Sequence, residues 1–459
     1  MISNLVRESQ GSIPITPVTA ADLAARKAML DPLARSWIES TGFTAEPGKI
    51  ALLPDAAGGL AGVLVGMTAG EELWALASLP DTLPERLYAL DPEPAAAEAT
   101  AMALGWALAC YSFTRYKERS RGFAKLVWPK AADRGRVERL AHGIGLARDL
   151  INTPTEDMGP AELAGAAQGL AERHGAKCRV IVGEDLLAEN FPMIHAVGRA
   201  SAEAPRLIDI AWGDAAAPKL TLVGKGVCFD SGGLDIKPAS GMRLMKKDMG
   251  GAATVLGLAS AVMAARLPVR LRVLVPAVEN AISANAIRPL DIIRTRKGIT
   301  VEIGNTDAEG RLILCDALTE AESEKPALLI DMATLTGAAR TALGPELPAL
   351  FSNDDALAED LLRAGREAHD PLWRLPLWQP YRKMLKSNLA DINNVSESAF
   401  AGAITAALYL QEFVRKDTPW IHIDTYAWNQ SSRPGRPEGG EALGLRALYG
   451  LIEARFGPR

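Results

Sequence analysis

The chain is poor in every feature that would place it outside the ordinary globular class. Four cysteines, Cys110, Cys178, Cys228 and Cys315, are spread over 459 residues and form no CxxC pair. So sparse a set argues against a disulfide scaffold and suits a reducing compartment. No stretch reaches the roughly 18 to 20 clean apolar residues that a membrane span needs. The most apolar one, LASAVMAARLPVRLRVLVPAV, is cut by Arg266, Arg270 and Arg272. The N-terminus, MISNLVRESQGSIPITPV, lacks the apolar run of a signal peptide. Charge of one sign is lacking too: 50 Lys plus Arg stand against 55 Asp plus Glu, a net charge of -5. That balance gives no global pull toward nucleic acid or anionic lipid. The expectation is a cytoplasmic protein, with no membrane and no nucleic acid among its partners.

What is present is ordinary globular usage, with 48% hydrophobic and 23% charged residues. The length allows roughly two to four domains. KIALLPD and AGVLVGM have strand composition, PAAAEATAMALGWALACYSFTRYK reads as an Ala-rich helix, and KLVWPK as a closing strand. Residues 133–151 read as an amphipathic connecting helix that ends before Pro154. Beyond it, strand-like RLIDIAW, LTLVGKG, RLRVLVPAV, ITVEIGN and ALLIDMATLT alternate with helix-like AATVLGLASAVMAARL and LILCDALTEAESE. Such alternation predicts an α/β fold whose mostly parallel sheet is flanked by helices. We therefore expect a small N-terminal α/β domain over 1–132 and a larger C-terminal domain over 133–459.

Ligands in such folds gather at the carboxyl ends of strands. Polar clusters stand at three such places here: Lys225 and Asp230, with Lys237 following; Asp248 in KKDMGGAAT; and Asp307, Glu309 and Arg311 in NTDAEGRL. Asp248 or Asp307 alone would read as a helix cap. Together, four carboxylates, two lysines and an arginine would repel or protonate unless paired or metal-bound. Asp307 and Glu309, two apart, would diverge by about 200° on a helix but share one side on looped backbone. Gly304 and Gly310 are read as giving that loop its latitude. No histidine or cysteine joins the set, so hard or borderline ions such as Mn²⁺, Mg²⁺ or Zn²⁺ fit it. Four carboxylates balance two divalent ions, which could activate a water and polarise a carbonyl. GKGVCFDSGG is neither a GxxxxGK[ST] loop nor a complete GxGxxG, so nucleotide binding is poorly supported.

NTDAEGRL at 305–312, VGKGVCFDSGGLDIKP at 223–238 and MKKDMGGAAT at 245–254 resemble the three metal segments of the leucyl aminopeptidase (cytosol aminopeptidase) family. INTPTEDMGP, VPAVENAISANAIRPLDII, DMATLTGAARTALG and PWIHIDTYAW are similar to further family blocks in the same order, covering about residues 145 to 430. The resemblance implies a two-metal aminopeptidase that removes the N-terminal residue of peptides with a free N-terminus. It implies Lys225, Asp230, Asp248, Asp307 and Glu309 as ligands of two divalent ions per subunit, Mn²⁺ or Zn²⁺. It implies Lys237 as the donor to the oxyanion, and Arg311 as the holder of a bicarbonate ion or water that carries the proton. Met245, Thr334 and Gly337 match its substrate pocket, with core packing as their plain alternative. A homohexamer is implied as well. Departures occur where SANA (283–286) replaces the family's SGNA and ESAFAGAITAALYL replaces a glycine run. A two-metal phosphoesterase and a DNA-binding homologue are the competing classes; neither is favoured by a motif.

Overall fold

A computed structural model describes residues 1–458. They form two compact units, Met1–Gly145 with Ser431–Glu438, and Leu146–Gln430 with the residues from Gly439 onward. Among the described residues no helix is long and apolar enough to cross a membrane.

The first unit is built on a six-stranded sheet: Leu5–Val6 (β1), Ile13–Val18 (β2), Ile50–Pro54 (β3), Leu60–Gly66 (β4), Leu87–Leu90 (β5) and Lys125–Val127 (β6), in the order β1-β6-β5-β2-β4-β3. Only the β3–β4 pair is antiparallel. The Ala-rich helix runs from Ala96 to Ala109, shorter than its composition suggested. The YSFT that follows has weak helix formers, whose branched or aromatic side chains and hydroxyls favour other conformations.

The second unit holds a nine-stranded sheet. Its strands are Lys177–Val182 (β7), Arg206–Trp212 (β8), Lys219–Gly224 (β9), Gly226–Asp230 (β10) and Arg270–Asn280 (β11). After two short strands outside this sheet, Ile292–Arg294 (β12) and Thr300–Glu302 (β13), come Leu328–Ala333 (β14), Ala349–Ser352 (β15) and Trp373–Arg374 (β16). Ile392–Asn393 (β17) again lies outside, and Trp420–Asp424 (β18) completes the set. The order is β16-β15-β18-β14-β9-β11-β8-β7, with β10 beside β11. The centre is parallel (β18, β14, β9, β11) and the antiparallel pairs lie further out. Central strands are covered on both faces, so they read as near-continuous apolar runs. In register, Val273, Leu222, Ile330 and Ile421 form one fully buried row across them.

ITVEIGN departs from the expectation. Its strand, β13, belongs to a separate three-stranded sheet, β12-β13-β17. Its apolar residues alternate with polar ones (Ile299, Val301 and Ile303 against Thr300 and Glu302), a period of two that suits a small one-faced sheet.

The helix Gly250–Ala264, apolar all round, is buried almost throughout. Because β9, β14 and β18 run in parallel, their carboxyl ends emerge at one edge: Gly224 opposite Met332, and Ala333 opposite Asp424. Lys225, Thr334 and Asp424 therefore meet there, at the edge where open α/β sheets collect their ligands.

A candidate metal centre

Lys225 sits in the break between β9 and β10. Its N–H donates to the Met332 carbonyl at 3.0 Å, and its own carbonyl accepts from Ala252 N–H at 2.9 Å. The backbone is thus held from both sides while the side chain points along the strand ends. Its Nζ lies 2.7 Å from Asp248 Oδ2 and 2.8 Å from Glu309 Oε1, and donates to the Thr334 carbonyl at 3.1 Å. Gly310 makes that path possible. A Cβ there would stand 2.6 Å from Lys225 Cε and 2.7 Å from Nζ. Gly310 is the second residue of the helix Glu309–Ala321, so its role is to leave room for a lysine, not to loosen a loop as its position in the motif suggested.

Asp230 ends β10 opposite Asn280. Asn280 Nδ2 and Gly232 N–H both donate to its Oδ1, at 2.8 and 2.9 Å. The turn that follows needs Gly232 and Gly233, with φ of 89° and 66°. It carries Lys237 back so that Nζ lies 2.8 Å from Asp230 Oδ2 and against Asp307 Oδ1. The Asp307 loop is fixed by Thr306, whose hydroxyl donates to the Gly232 carbonyl at 2.6 Å and accepts from Asp235 N–H at 2.9 Å. Asn394 closes the same loop: its Oδ1 accepts from Gly304 N–H, and its Nδ2 donates to the Asn305 carbonyl, both at 2.8 Å.

The result is a carboxylate cluster. One ligand atom each from Asp230, Asp307 and Glu309 fall within 4.8 Å of one another. Asp248 joins through Lys225, while Thr334 Oγ1 donates to its Oδ1 at 2.7 Å. Neither Asp248 nor Asp307 caps a helix; Met249 and Ala308 hold the cap positions, without a side-chain bond. Asp248 Oδ2, Asp307 Oδ1 and both Glu309 oxygens are buried without a directed hydrogen bond, although ammonium groups stand close to three of them. Buried carboxylate oxygens normally find donors. Four of them turned inward in one cluster form a donor set for hard cations.

The electrostatics agree with that shape. Burial, with repulsion from Asp230, pushes Glu309 up to about 8 against the pull of Lys225. The same two causes raise Asp307 to about 6 against Lys237. Burial alone would lower Lys225, but Asp248, Glu309 and Asp230 override it and hold it well above the lysine range. Lys237 is likewise raised, Asp230 outweighing its burial.

A cavity of about 350 Å³ opens onto the cluster, lined by Lys225, Asp230, Lys237, Asp248 and Asp307. Met245, Thr334 and Gly337 line the same cavity, though the Thr334 hydroxyl is committed to Asp248. Lys247, Arg340 and Tyr426 also line it, and no sequence signal singled them out. Arg311 is not among the residues that line this cavity. Its Nη1 donates to the Asn394 carbonyl at 2.7 Å, its Nε is buried without a partner, and burial lowers its pKa. It lines a second cavity, of about 570 Å³, with Asn305, Ser387 and Glu302. Among supporting residues, Asn280, Thr306, Asp235 and Asn394 also escaped the sequence reading, because buried Asn and Thr carry no spacing pattern of their own.

Comparison with known proteins bears on the same residues. The profile of the cytosol aminopeptidase family catalytic domain matches residues 145–449, and that of the M17 aminopeptidase N-terminal domain matches 13–129. A probable cytosol aminopeptidase of Syntrophotalea carbinolica is 49% identical over 322 residues, 69% of this chain and 64% of that protein. One of Geobacter sp. is 42% identical over 370 residues, 77% of this chain and 75% of that protein. The match thus spans a little under two thirds of the Syntrophotalea relative. Among solved structures, a cytosol aminopeptidase from Coxiella burnetii superposes with a TM-score of 0.96 at 50% identity, covering 99% of this chain and 100% of that one. The bottromycin maturation enzyme BotP in complex with Mn superposes at 0.87 with 34% identity, covering 97% and 99%.

Proposed function

The chain belongs to the cytosol aminopeptidase family, and on that premise we propose that it is a metal-dependent aminopeptidase that hydrolyses the N-terminal residue from peptides. The observation that carries this reading is the cluster of Asp230, Asp307 and Glu309 oxygens within 4.8 Å, in which Asp307 Oδ1 and both Glu309 oxygens are buried without a directed hydrogen bond, beside a cavity that Asp230 and Asp307 line. The donor set suits two divalent ions, held by Lys225, Asp230, Asp248, Asp307 and Glu309. It is all oxygen except for one amine, and its four carboxylates balance two dications. We assign Mn²⁺ or Zn²⁺, in keeping with the Mn of the BotP complex. When bound, such ions supply Lewis-acid polarisation of a carbonyl and lower the pKa of a water.

The chain's own groups then divide the remaining work. Lys225 must give up its proton to serve as a ligand, which the carboxylates alone oppose and added positive charge favours. Lys237 keeps its charge between Asp230 and Asp307, and its ammonium faces the cavity. There it stabilises the negative charge that develops on the scissile carbonyl oxygen. Arg311 is anchored by one nitrogen to the Asn394 carbonyl, and its remaining donors can hold a bicarbonate ion or a water that moves the proton to the leaving amine. Met245, Thr334 and Gly337 border the space for the N-terminal side chain.

The same reading includes a homohexamer in the cytoplasm. Its supports are exposed apolar side chains on the second unit, such as Leu389, Phe400 and Trp373, and four free cysteines.

The test is a comparison of Leu-p-nitroanilide with its N-acetyl derivative and with p-nitrophenyl phosphate, each with Mn²⁺. Recognition of a free amine predicts turnover of the first alone. Comparable turnover of blocked and free substrates would exclude an aminopeptidase, and turnover of the phosphate ester would point to phosphoester chemistry.

A further inference from the structure

The substrate cavity carries two cations that the mechanism does not use. Lys247 is 4% exposed and lines the cavity, yet no carboxylate or hydrogen-bond acceptor pairs with its ammonium among the described residues. Lysine is almost never so buried unless paired. Its neighbour Lys246 shows the usual solution, donating to the Asn152 carbonyl at 2.7 Å.

The acids near Lys247 are committed elsewhere. Asp248 serves Lys225 and Thr334. Asp424 accepts from Leu335 N–H at 2.9 Å, from Thr336 N–H at 3.2 Å and from the Thr336 hydroxyl at 2.6 Å. What Lys247 does touch is Tyr426, its Nζ lying 4.8 Å from the ring centre. Arg340, on the helix Gly337–Leu343, lies against the same ring at 5.0 Å, lines the same cavity and has no ion pair among the described residues. A tyrosine face attracts a cation only weakly compared with a counter-ion. Two cations thus converge on one ring in one cavity, and among the described residues neither has a paired anion.

We propose that Lys247 and Arg340 make this cavity selective for an acidic N-terminal residue, the glutamate or aspartate side chain of the substrate being the missing counter-ion. The proposal rests on the aminopeptidase reading and names the substrate class of that site. An incoming carboxylate would pair with an ammonium whose side chain is already largely buried, so the protein has met part of the desolvation cost in folding. A leucine side chain would leave Lys247 buried and unpaired. A lysine side chain would add a third positive charge.

The experiment compares kcat/KM for Glu-, Leu- and Lys-p-nitroanilide on the Mn²⁺-loaded enzyme and on the variants Lys247→Met and Arg340→Met. The expected order for the wild type is Glu above Leu above Lys. Lys247→Met should lower the Glu-to-Leu ratio by about tenfold or more, as loss of a close charge partner does. Arg340→Met, at an exposed position, should lower it less, and it keeps the test open if Lys247→Met folds poorly. Lys247→Glu should favour Lys-p-nitroanilide over Glu-p-nitroanilide. A wild type that prefers leucine to glutamate, or a ratio unmoved in both methionine variants, overturns the proposal while leaving the aminopeptidase intact. No turnover of any of the three overturns the aminopeptidase reading and this one with it.

Discussion

Gly310→Ala sets two physical effects against each other, and the structure decides between them. Gly310 lies in the first turn of a helix with ordinary helical dihedrals, so alanine should gain about 1 kcal/mol of helix propensity. Against this, the new methyl would fall 2.6 Å from Lys225 Cε and 2.7 Å from Nζ, where real Cβ contacts begin beyond 3.0 Å. A flexible side chain could step aside cheaply, but this one is pinned by Asp248 at 2.7 Å, Glu309 at 2.8 Å and the Thr334 carbonyl at 3.1 Å. Overpacking a rigid site costs about 1–3 kcal/mol, and separating a buried charge from its partner about 3–5 kcal/mol. A partial displacement should therefore leave a net loss of about 2 kcal/mol after the helix gain. At about 1.5 °C per kcal/mol for a unit of this size, the melting temperature of the metal-free protein should fall by about 3 °C. Metal content by elemental analysis should fall with it. Turnover of Leu-p-nitroanilide should drop by about 10²-fold, the cost of moving a site group by an ångström. A Gly310→Ala protein that melts at or above the wild-type temperature, with full metal and full turnover, would refute the close-approach argument. The glycine would then be a matter of loop latitude after all.

Two further outcomes follow from the same geometry. Glu309→Gln should lower both metal content and rate, since it removes one of four charges that balance the ions, whereas Lys237→Ala should keep the metal and lose about 10²- to 10³-fold in kcat; wild-type turnover by the metal-loaded Lys237→Ala protein would remove that lysine from the mechanism. His422 is fully buried, its Nδ1 2.6 Å from Asp331 Oδ1, and Asp331 outweighs burial to raise its pKa above 6.5. A histidine with a raised folded-state pKa contributes stability that is fully present below the unfolded value near 6.5 and is lost as pH rises through the folded one. Denaturation profiles should show that decline above pH 6.5 in the wild type and not in His422→Gln, and an unchanged decline in the variant would assign it to other groups.

Much of the site could be read from local sequence because its chemistry is local. Lys225, Asp230 and Lys237 lie within one turn-bounded segment, and Asp307, Glu309 and Arg311 within another. Acids and bases so dense at strand ends call for counter-charge whatever the fold does. The central sheet was legible for a similar reason: strands covered on both faces must be mostly apolar, and between their polar ends β9, β11 and β14 are, with Thr221, Arg272 and Asp331 as the exceptions.

Other parts were decided only by tertiary structure. The edge strand β7 alternates exposed and half-buried residues and carries two cations, so its sequence has no strong strand signal. The passage of Ser431–Glu438 into the first unit is marked by no local pattern. The purpose of Gly310 depends on a lysine brought from another strand end, and the support of Asn394 and Thr306 depends on loops that meet only in space. Nothing in the segment MKKDMGGAAT distinguishes Lys247 from its neighbour Lys246. The burial of Lys247 beside Tyr426 arises because the parallel register of β9, β14 and β18 brings their ends together. Periodicity and motif spacing report what a residue needs from its immediate chain. Which distant group will stand beside it, and whether a charge will be left without a partner, is settled by the packing of the whole sheet.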